Sequence, residues 1–251
     1  MINWNEIKIR CSSLGSLMTK PQDKADKEAG NLSATAKLHL IKVYMAEKYK
    51  RYYDIDTKYT KKGNGVEEDS ITTLTLFTGK MLYKNEERLT NDYFTGLPDI
   101  YIGESITKAK FIFDIKSSWN METFLSNLKD DLNKDYYGQL QGYFDLTGAS
   151  EGAIAYILSN TPDSILEGEK YRVLKNLDVI SEESPEAQRA LAQLYLNHQF
   201  DDLDVYERVL LFPVKRDDEY IEKAKQKVLK AREYLQQIEQ KHLNFNKNVQ
   251  I

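Results

Sequence analysis

Hydrophobic and polar positions divide the chain into stretches of two kinds. Apolar residues recurring every three or four positions predict helices, and alternating or continuous runs of β-branched and aromatic residues predict strands. The helical pattern covers about 34–51 behind a capping Ser33, with Leu38, Ile41, Tyr44, Met45 and Lys48 on one side. It returns over about 66–78, where Glu67, Ile71 and Leu74 share a face, and over about 121–128, 133–146 and 185–197. Ser12 and Ser13 are candidate caps for a short helix through Leu14, Leu17 and Met18. A last helix from about Asp217 to His242 carries Ile221, Ala224, Val228, Ala231, Leu235, Ile238 and His242 at 3-4-3-4-3-4 spacing. That is a seam for docking on the protein's own core or on a second subunit. Strand signals fall on about 80–84, 92–96, 99–103, 110–116, 152–158 and 206–214. Residues 160–183 give neither pattern, 21–30 read as a charged, mobile loop, and the basic run Lys58 to Lys62 reads as a solvated loop.

One hairpin carries the chemistry. Gly96-Leu97-Pro98-Asp99-Ile100 and Phe111-Ile112-Phe113-Asp114-Ile115-Lys116 flank a small, polar loop from Gly103 to Ala109. A symmetric hairpin has its centre between Ile106 and Thr107, which sets Asp99 opposite Asp114. Cross-strand neighbours lie roughly 4.5–5.5 Å apart at Cβ. Two carboxylates that close repel, so one takes a proton unless a cation lies between them. Period 2 puts Ile112, Asp114 and Lys116 on one face and Phe111, Phe113 and Ile115 on the other. The second face is apolar and is expected to be the core.

Composition narrows the class. The chain has 251 residues and 41% hydrophobic content, which suffices for a substantial core. The net charge is −4, so a nucleic-acid partner requires a local basic patch. A single cysteine, Cys11, excludes a disulfide framework and cysteine-based metal sites. His39, His198 and His242 are too scattered to suggest a metal motif. No apolar run reaches the ~18 residues of a membrane span, and the first residues do not resemble a signal peptide. A soluble protein of a reducing compartment is expected.

Glu67 points with the apolar face of its helix, where a carboxylate is costly unless paired or bound to a metal. The alternatives are a buried ion pair or an acid favoured by the helix dipole. Glu67, Asp99 and Asp114 together suit a hard divalent cation held by oxygens. Such a cation acidifies water and, with Lys116, offsets charge developing on a phosphate. Lys61 and Lys62, just before the Glu67 helix, are candidates for phosphate contacts. Trp119, past the Asp114 strand, is a candidate for base stacking, with core packing as the alternative.

These residues, taken in order, resemble the PD-(D/E)XK nuclease signature. Pro98-Asp99 and Asp114-Ile115-Lys116 match its centre, with Asp in place of the commoner Glu. Gly63 followed by Glu67 is similar to the first motif of that superfamily, with Glu68 a rival for the same role. Gln139 and Tyr143, within Tyr137-Gly138-Gln139-Leu140-Gln141-Gly142-Tyr143, resemble the Gln-x-x-x-Tyr element of its exonuclease branch. The group most similar in motif order is that of the lambda-exonuclease-like, YqaJ-type phage recombination nucleases, over roughly residues 5–160.

The resemblance implies an α/β fold with a restriction-endonuclease-like core: a mixed central β-sheet flanked by helices, completed by the long C-terminal helix. It implies one nuclease domain over 1–251, with an N-terminal helical region (1–60), a catalytic core (61–160) and C-terminal helices with a strand (161–251). Glu67, Asp99, Asp114 and the carbonyl of Ile115 would ligate magnesium or manganese. Lys116 would assist the attacking water, and Gln139 and Tyr143 would position the lysine or the DNA strand. Arg10, Ser12 and Ser13, in Arg10-Cys11-Ser12-Ser13-Leu14-Gly15, would lie near a 5′-phosphate. The implied activity is 5′→3′ degradation of one strand of linear double-stranded DNA, in the cytoplasm of a bacterial host. The implied partners are DNA ends, a single-strand annealing protein and further copies of the chain, as in a homotrimeric ring. An endonuclease of the same fold and an inactive DNA-binding scaffold are the alternatives.

Overall fold

The protein was analysed as a computed structural model, which describes residues 2–52, 57–129, 132–179 and 181–245. Its helices, in chain order, are α1 (Leu14–Leu17), α2 (Lys24–Glu28), α3 (Ala34–Tyr49), α4 (Lys58–Gly65), α5 (Glu67–Thr78), α6 (Met121–Leu125), α7 (Lys134–Thr147), α8 (Asp163–Asn176), α9 (Pro185–Leu196) and α10 (Asp218–Asn244). The strands are β1 (Ile9–Arg10), β2 (Tyr83–Lys84), β3 (Leu89–Thr90), β4 (Phe94–Gly96), β5 (Ile100–Gly103), β6 (Ala109–Ser117), β7 (Glu151–Ile157) and β8 (Val209–Lys215). Capping explains several helix ends. Ser33 accepts the Ala36 amide before α3, and Asn133 does the same for Asp135 and Tyr136 before α7. The basic run expected to be a loop is instead helix α4, started by reciprocal Thr57 and Thr60 hydrogen bonds. Asp23 caps α2 inside the segment expected to be mobile, and α8 fills most of the stretch that gave no pattern. Ser13 precedes α1 but its side chain makes no cap bond, so the expected serine caps do not form.

A five-stranded sheet runs in the order β2-β5-β6-β7-β8, with β6 and β7 parallel and the other pairs antiparallel. A smaller sheet, β1-β4-β3, lies beside it. The central position of β6 corrects one expectation. Phe113 is buried with Leu74, Ile100, Ala153, Ala155 and Ile157 against α5, as its face predicted. Ile112 on the other face is equally buried, in the larger core with Leu140, Phe144, Ile154 and Val228. A central strand covered by helices on both faces has no solvent side, so its alternation marks two cores.

The α10 seam docks within the chain. Ile221, Ala224, Val228, Ala231 and Leu235 are buried in the larger core, and His242 lies within hydrogen-bonding distance of the Tyr44 and Tyr49 hydroxyls. Buried Gln141 ties α7 to the β8–α10 junction by donating to the Lys215 carbonyl and accepting from the Asp217 amide, both at 2.8 Å. Among the described residues, no helix is long and apolar enough to cross a membrane.

Candidate active site

The β5–β6 hairpin sets the centre of the site. Ile100 pairs with Phe113 and Tyr101 with Ile112, and the same register continued by one residue brings Asp99 across from Asp114. Asp99 is anchored there because its Oδ2 accepts the Ile115 amide at 2.8 Å. Asp114 is 0% exposed. The Lys116 Nζ lies 2.8 Å from its Oδ2, yet neither carboxylate oxygen receives a well-directed hydrogen bond. Buried carboxylates almost always find such partners, so this one presents open lone pairs.

Electrostatics follow from that crowding. Burial, then the Asp114 charge, pushes the Asp99 carboxyl up to about 7. Asp114 is also raised, by burial, against the opposing pull of Lys116. Burial works to lower Lys116, but its aspartate neighbours outweigh it and the net direction is upward. The pair therefore holds excess negative charge, and the lysine beside it stays an ammonium.

Helix α7 supports the lysine from the same face. Lys116 Nζ donates to Gln139 Oε1 at 3.2 Å, and Gln139 Nε2 donates to the Tyr143 hydroxyl at 2.8 Å. The Tyr136 ring lies under the ammonium, 4.6 Å from its centroid. Burial, with Asp114 and Asp99 adding to it, raises the Tyr143 phenol and keeps it neutral. Tyr143 fits because position 96 is glycine: a Cβ there would lie 2.6 Å from the tyrosine ring and 2.9 Å from the Cys11 sulfur. Tyr136 was not singled out from the sequence. Its spacing from Gln139 and Tyr143, three and seven residues on one helix, is the signal that would have found it.

Helix α5 brings Glu67. Buried Ser70, one turn on, bonds Ser159 at 2.9 Å and Ser117 at 3.3 Å, fixing the start of α5 against the end of β6. Glu67 lines a cleft of about 580 Å³ together with Asp99, Ile115, Lys116, Tyr136, Tyr59 and Asn64. Its carboxylate is 45% exposed and paired with Lys84 at 3.1 Å. Glu68 is 76% exposed, pairs with the same lysine at 2.6 Å and does not line the cleft. Among the described residues, no three acidic, histidine or cysteine side chains already converge as a finished metal cage. The donor chemistry nevertheless fits a hard divalent cation. Asp114 offers two oxygens without a well-directed hydrogen bond, one of them beside the Lys116 ammonium, and Asp99 offers a second oxygen, with Glu67 lining the same cleft as Asp99. Lys84, which draws Glu67 aside, carried no signal in the local sequence.

The expected DNA contacts divide. Exposed Arg10 and half-buried Ser13 line a separate cavity of about 410 Å³ with Lys8, Lys42 and Arg51, and Ser12 is exposed beside them. Lys61 is exposed next to α8. Lys62 is not a phosphate contact: it is 1% exposed and donates to the Trp119 carbonyl at 2.8 Å. On α4 the residue that turns inward is Lys62. Trp119 is half-buried and packed among other side chains. Lys58 Nζ lies 4.6 Å from its ring centroid, and the Tyr59 and His198 rings lie 5.2 and 5.0 Å away.

No family profile and no curated protein matches the sequence significantly. Solved structures do match. A phage-related exonuclease from Haemophilus somnus 129PT is 28% identical, with a TM-score of 0.71 over 94% of this chain and 97% of that one. An alkaline exonuclease, LHK-Exo, from Laribacter hongkongensis superposes with a TM-score of 0.62 at 14% identity, over 98% of both chains. The same enzyme in complex with dAMP gives 0.60 at 15% identity, over 96% of this chain and 93% of that one.

Proposed function

We propose that this chain, which belongs by fold and motif order to the lambda-exonuclease-like branch of the PD-(D/E)XK nucleases, is a metal-dependent deoxyribonuclease that degrades one strand of linear duplex DNA. The single observation that carries this reading is Asp114: a fully buried carboxylate beside Asp99 whose one close partner is the Lys116 ammonium at 2.8 Å, next to an open cleft. Asp99, Asp114 and the Ile115 carbonyl would hold magnesium or manganese, with Glu67 as a further ligand once it leaves Lys84. When bound, such an ion acidifies water and neutralises charge on the phosphodiester.

The chain's own groups do the rest. Lys116 remains charged, so it acts as an orienting donor and a counter-charge rather than as a base. Gln139 and Tyr136 hold its ammonium at the edge of the cleft. Neutral Tyr143 fixes Gln139 through a hydrogen bond. Asp99, tied to the Ile115 amide, is held in place without a side-chain partner.

The 28% identical neighbour, an exonuclease, favours end-dependent cleavage over internal cutting. A 5′→3′ polarity, assembly into a homotrimeric ring, transfer of the remaining strand to an annealing protein and a bacterial cytoplasmic setting complete the proposal, as does a single nuclease domain over 1–251. Cleavage of linear duplex in magnesium, compared for the parent, Asp114→Asn and Lys116→Ala, tests the reading. Activity should vanish in both variants and in chelator. A parent that is inactive, or variants that cut as well as the parent, would overturn it. Covalently closed circular duplex should stay intact.

A further inference from the structure

Tyr59 does not belong to the catalytic set, and its packing on Trp119 and under the Lys58 ammonium leaves most of its ring exposed. It is 58% exposed, yet it lines the same cleft as Asp99, Lys116 and Glu67. It projects from α4, whose position is fixed by buried Lys62 and by the Lys58–Glu169 ion pair at 3.1 Å. Its ring meets half-buried Trp119 edge to face, at 5.2 Å and 76°, and Trp119 is held in turn by the Lys58 ammonium and the His198 ring. The exposed aromatic is thus braced by a rigid aromatic and cationic stack instead of being a loose surface side chain. A cleft of about 580 Å³ falls in the range of small-ligand sites, roughly 300–1,000 Å³, and has room for a nucleotide. Aromatic rings beside single-stranded nucleic acid bind bases of any sequence, because every base has a π face.

We infer that Tyr59 is a base-stacking subsite, holding the nucleobase of the terminal nucleotide whose phosphodiester lies at Asp99, Asp114 and Lys116. The inference rests on the nuclease reading above. It transfers to Tyr59 the stacking role for which the sequence had offered Trp119. The subsite takes a neutral, planar heteroaromatic group without regard to its identity, as suits an enzyme that removes every nucleotide in turn.

The test is a cycle between protein and substrate. First-nucleotide release is measured under single-turnover conditions in magnesium, for the parent, Tyr59→Ala and Tyr59→Phe. The substrates are linear duplexes with a normal or an abasic terminal nucleotide, at the 5′ and 3′ ends in separate molecules. Base–aromatic stacking of roughly 1–3 kcal/mol converts to about 5- to 150-fold in apparent affinity. Tyr59→Ala should therefore weaken half-saturation by about 10-fold on the normal substrate and by under 2-fold on the abasic one, and Tyr59→Phe should restore the parent value. An equal effect of Tyr59→Ala on both substrates would assign the residue to packing against Trp119 and overturn the inference. So would no effect on either, or a Tyr59→Phe as weak as Tyr59→Ala. Retained cleavage by Asp114→Asn, run alongside, would instead count against the nuclease reading itself.

Discussion

Two pockets near the end of β6 bury charge in opposite ways. In one, Asp99 and fully buried Asp114 share a single lysine, Asp99 and that lysine line the cleft, and burial drives the Asp99 carboxyl up to about 7. In the other, Lys62 is buried against Trp119 and Phe200, and desolvation brings its amine down to about 7. Desolvation penalises the charged form of either sign, so the two shifts have one cause. Their remedies differ. An amine can shed its proton and still donate to the Trp119 carbonyl. Two facing carboxylates must either keep a proton or take in a cation. The lysine pocket is complete as it stands, and the acidic pocket is the one that, on the proposed reading, receives an ion. A strongly perturbed group is therefore not in itself a catalytic one; what separates the two is an open cleft beside paired carboxylates.

The largest effects should come from the acidic pocket. Asp114→Asn and Lys116→Ala are each expected to lower cleavage at least ~10³-fold, about 4 kcal/mol of transition-state stabilisation. A gel or fluorescence assay on linear duplex reads this, and DNA binding by Asp114→Asn should be kept or improved, because repulsion of phosphate is reduced. Next come the two glutamates. Glu67→Gln should lose roughly 10- to 100-fold at limiting magnesium, an effect of ~1.4–2.7 kcal/mol. Glu68→Gln, which removes a carboxylate outside the cleft, should stay within about 2-fold, or under ~0.5 kcal/mol. The reverse outcome would reassign the ligand to Glu68. Lys84→Met, by releasing Glu67, should lower the magnesium concentration at half-maximal activity.

Stability against pH tests the same contrast more gently. Asp99 has a folded value above its unfolded one, so the stability of its protonated form is fully present near pH 4 and is lost as pH rises through about 7. Melting in chelator should fall by several degrees from pH 5 to pH 8, magnesium should reverse the fall, and Asp99→Asn should flatten it; about 1 kcal/mol corresponds to roughly 2–4 °C in a domain of this size. Lys116 keeps its proton throughout this window and does not contribute. Lys62 has the opposite sign. Its folded value lies below the unfolded one, so the parent gains stability as pH rises from about 7 towards the ordinary lysine value of 10.5. Lys62→Met should remove that gain, a difference of roughly 10 °C between pH 7 and pH 10 in paired melts. A pH-independent offset between the two proteins would mean that Lys62 is solvated after all.

Local pattern and short-range geometry determined much of this. The hairpin spacing set the Ile100–Ile102 register that brings Asp99 against Asp114, because the side-chain period is local, while a bulge between Ile102 and Gly103 breaks the symmetry nearer the loop. Helical periodicity did the same for the Gln139–Tyr143 face and the α10 seam, and Ser33 announced the start of α3. Tertiary structure alone decided which member of a basic run turns inward, that Lys84 would claim Glu67, and that Tyr59 rather than half-buried Trp119 lines the cleft. It also put a core on both faces of β6. These outcomes depend on which distant elements meet. A residue's neighbours along the chain carry the propensity for helix or strand, but the desolvation and ion pairing that give a side chain its chemistry come from segments far away in sequence.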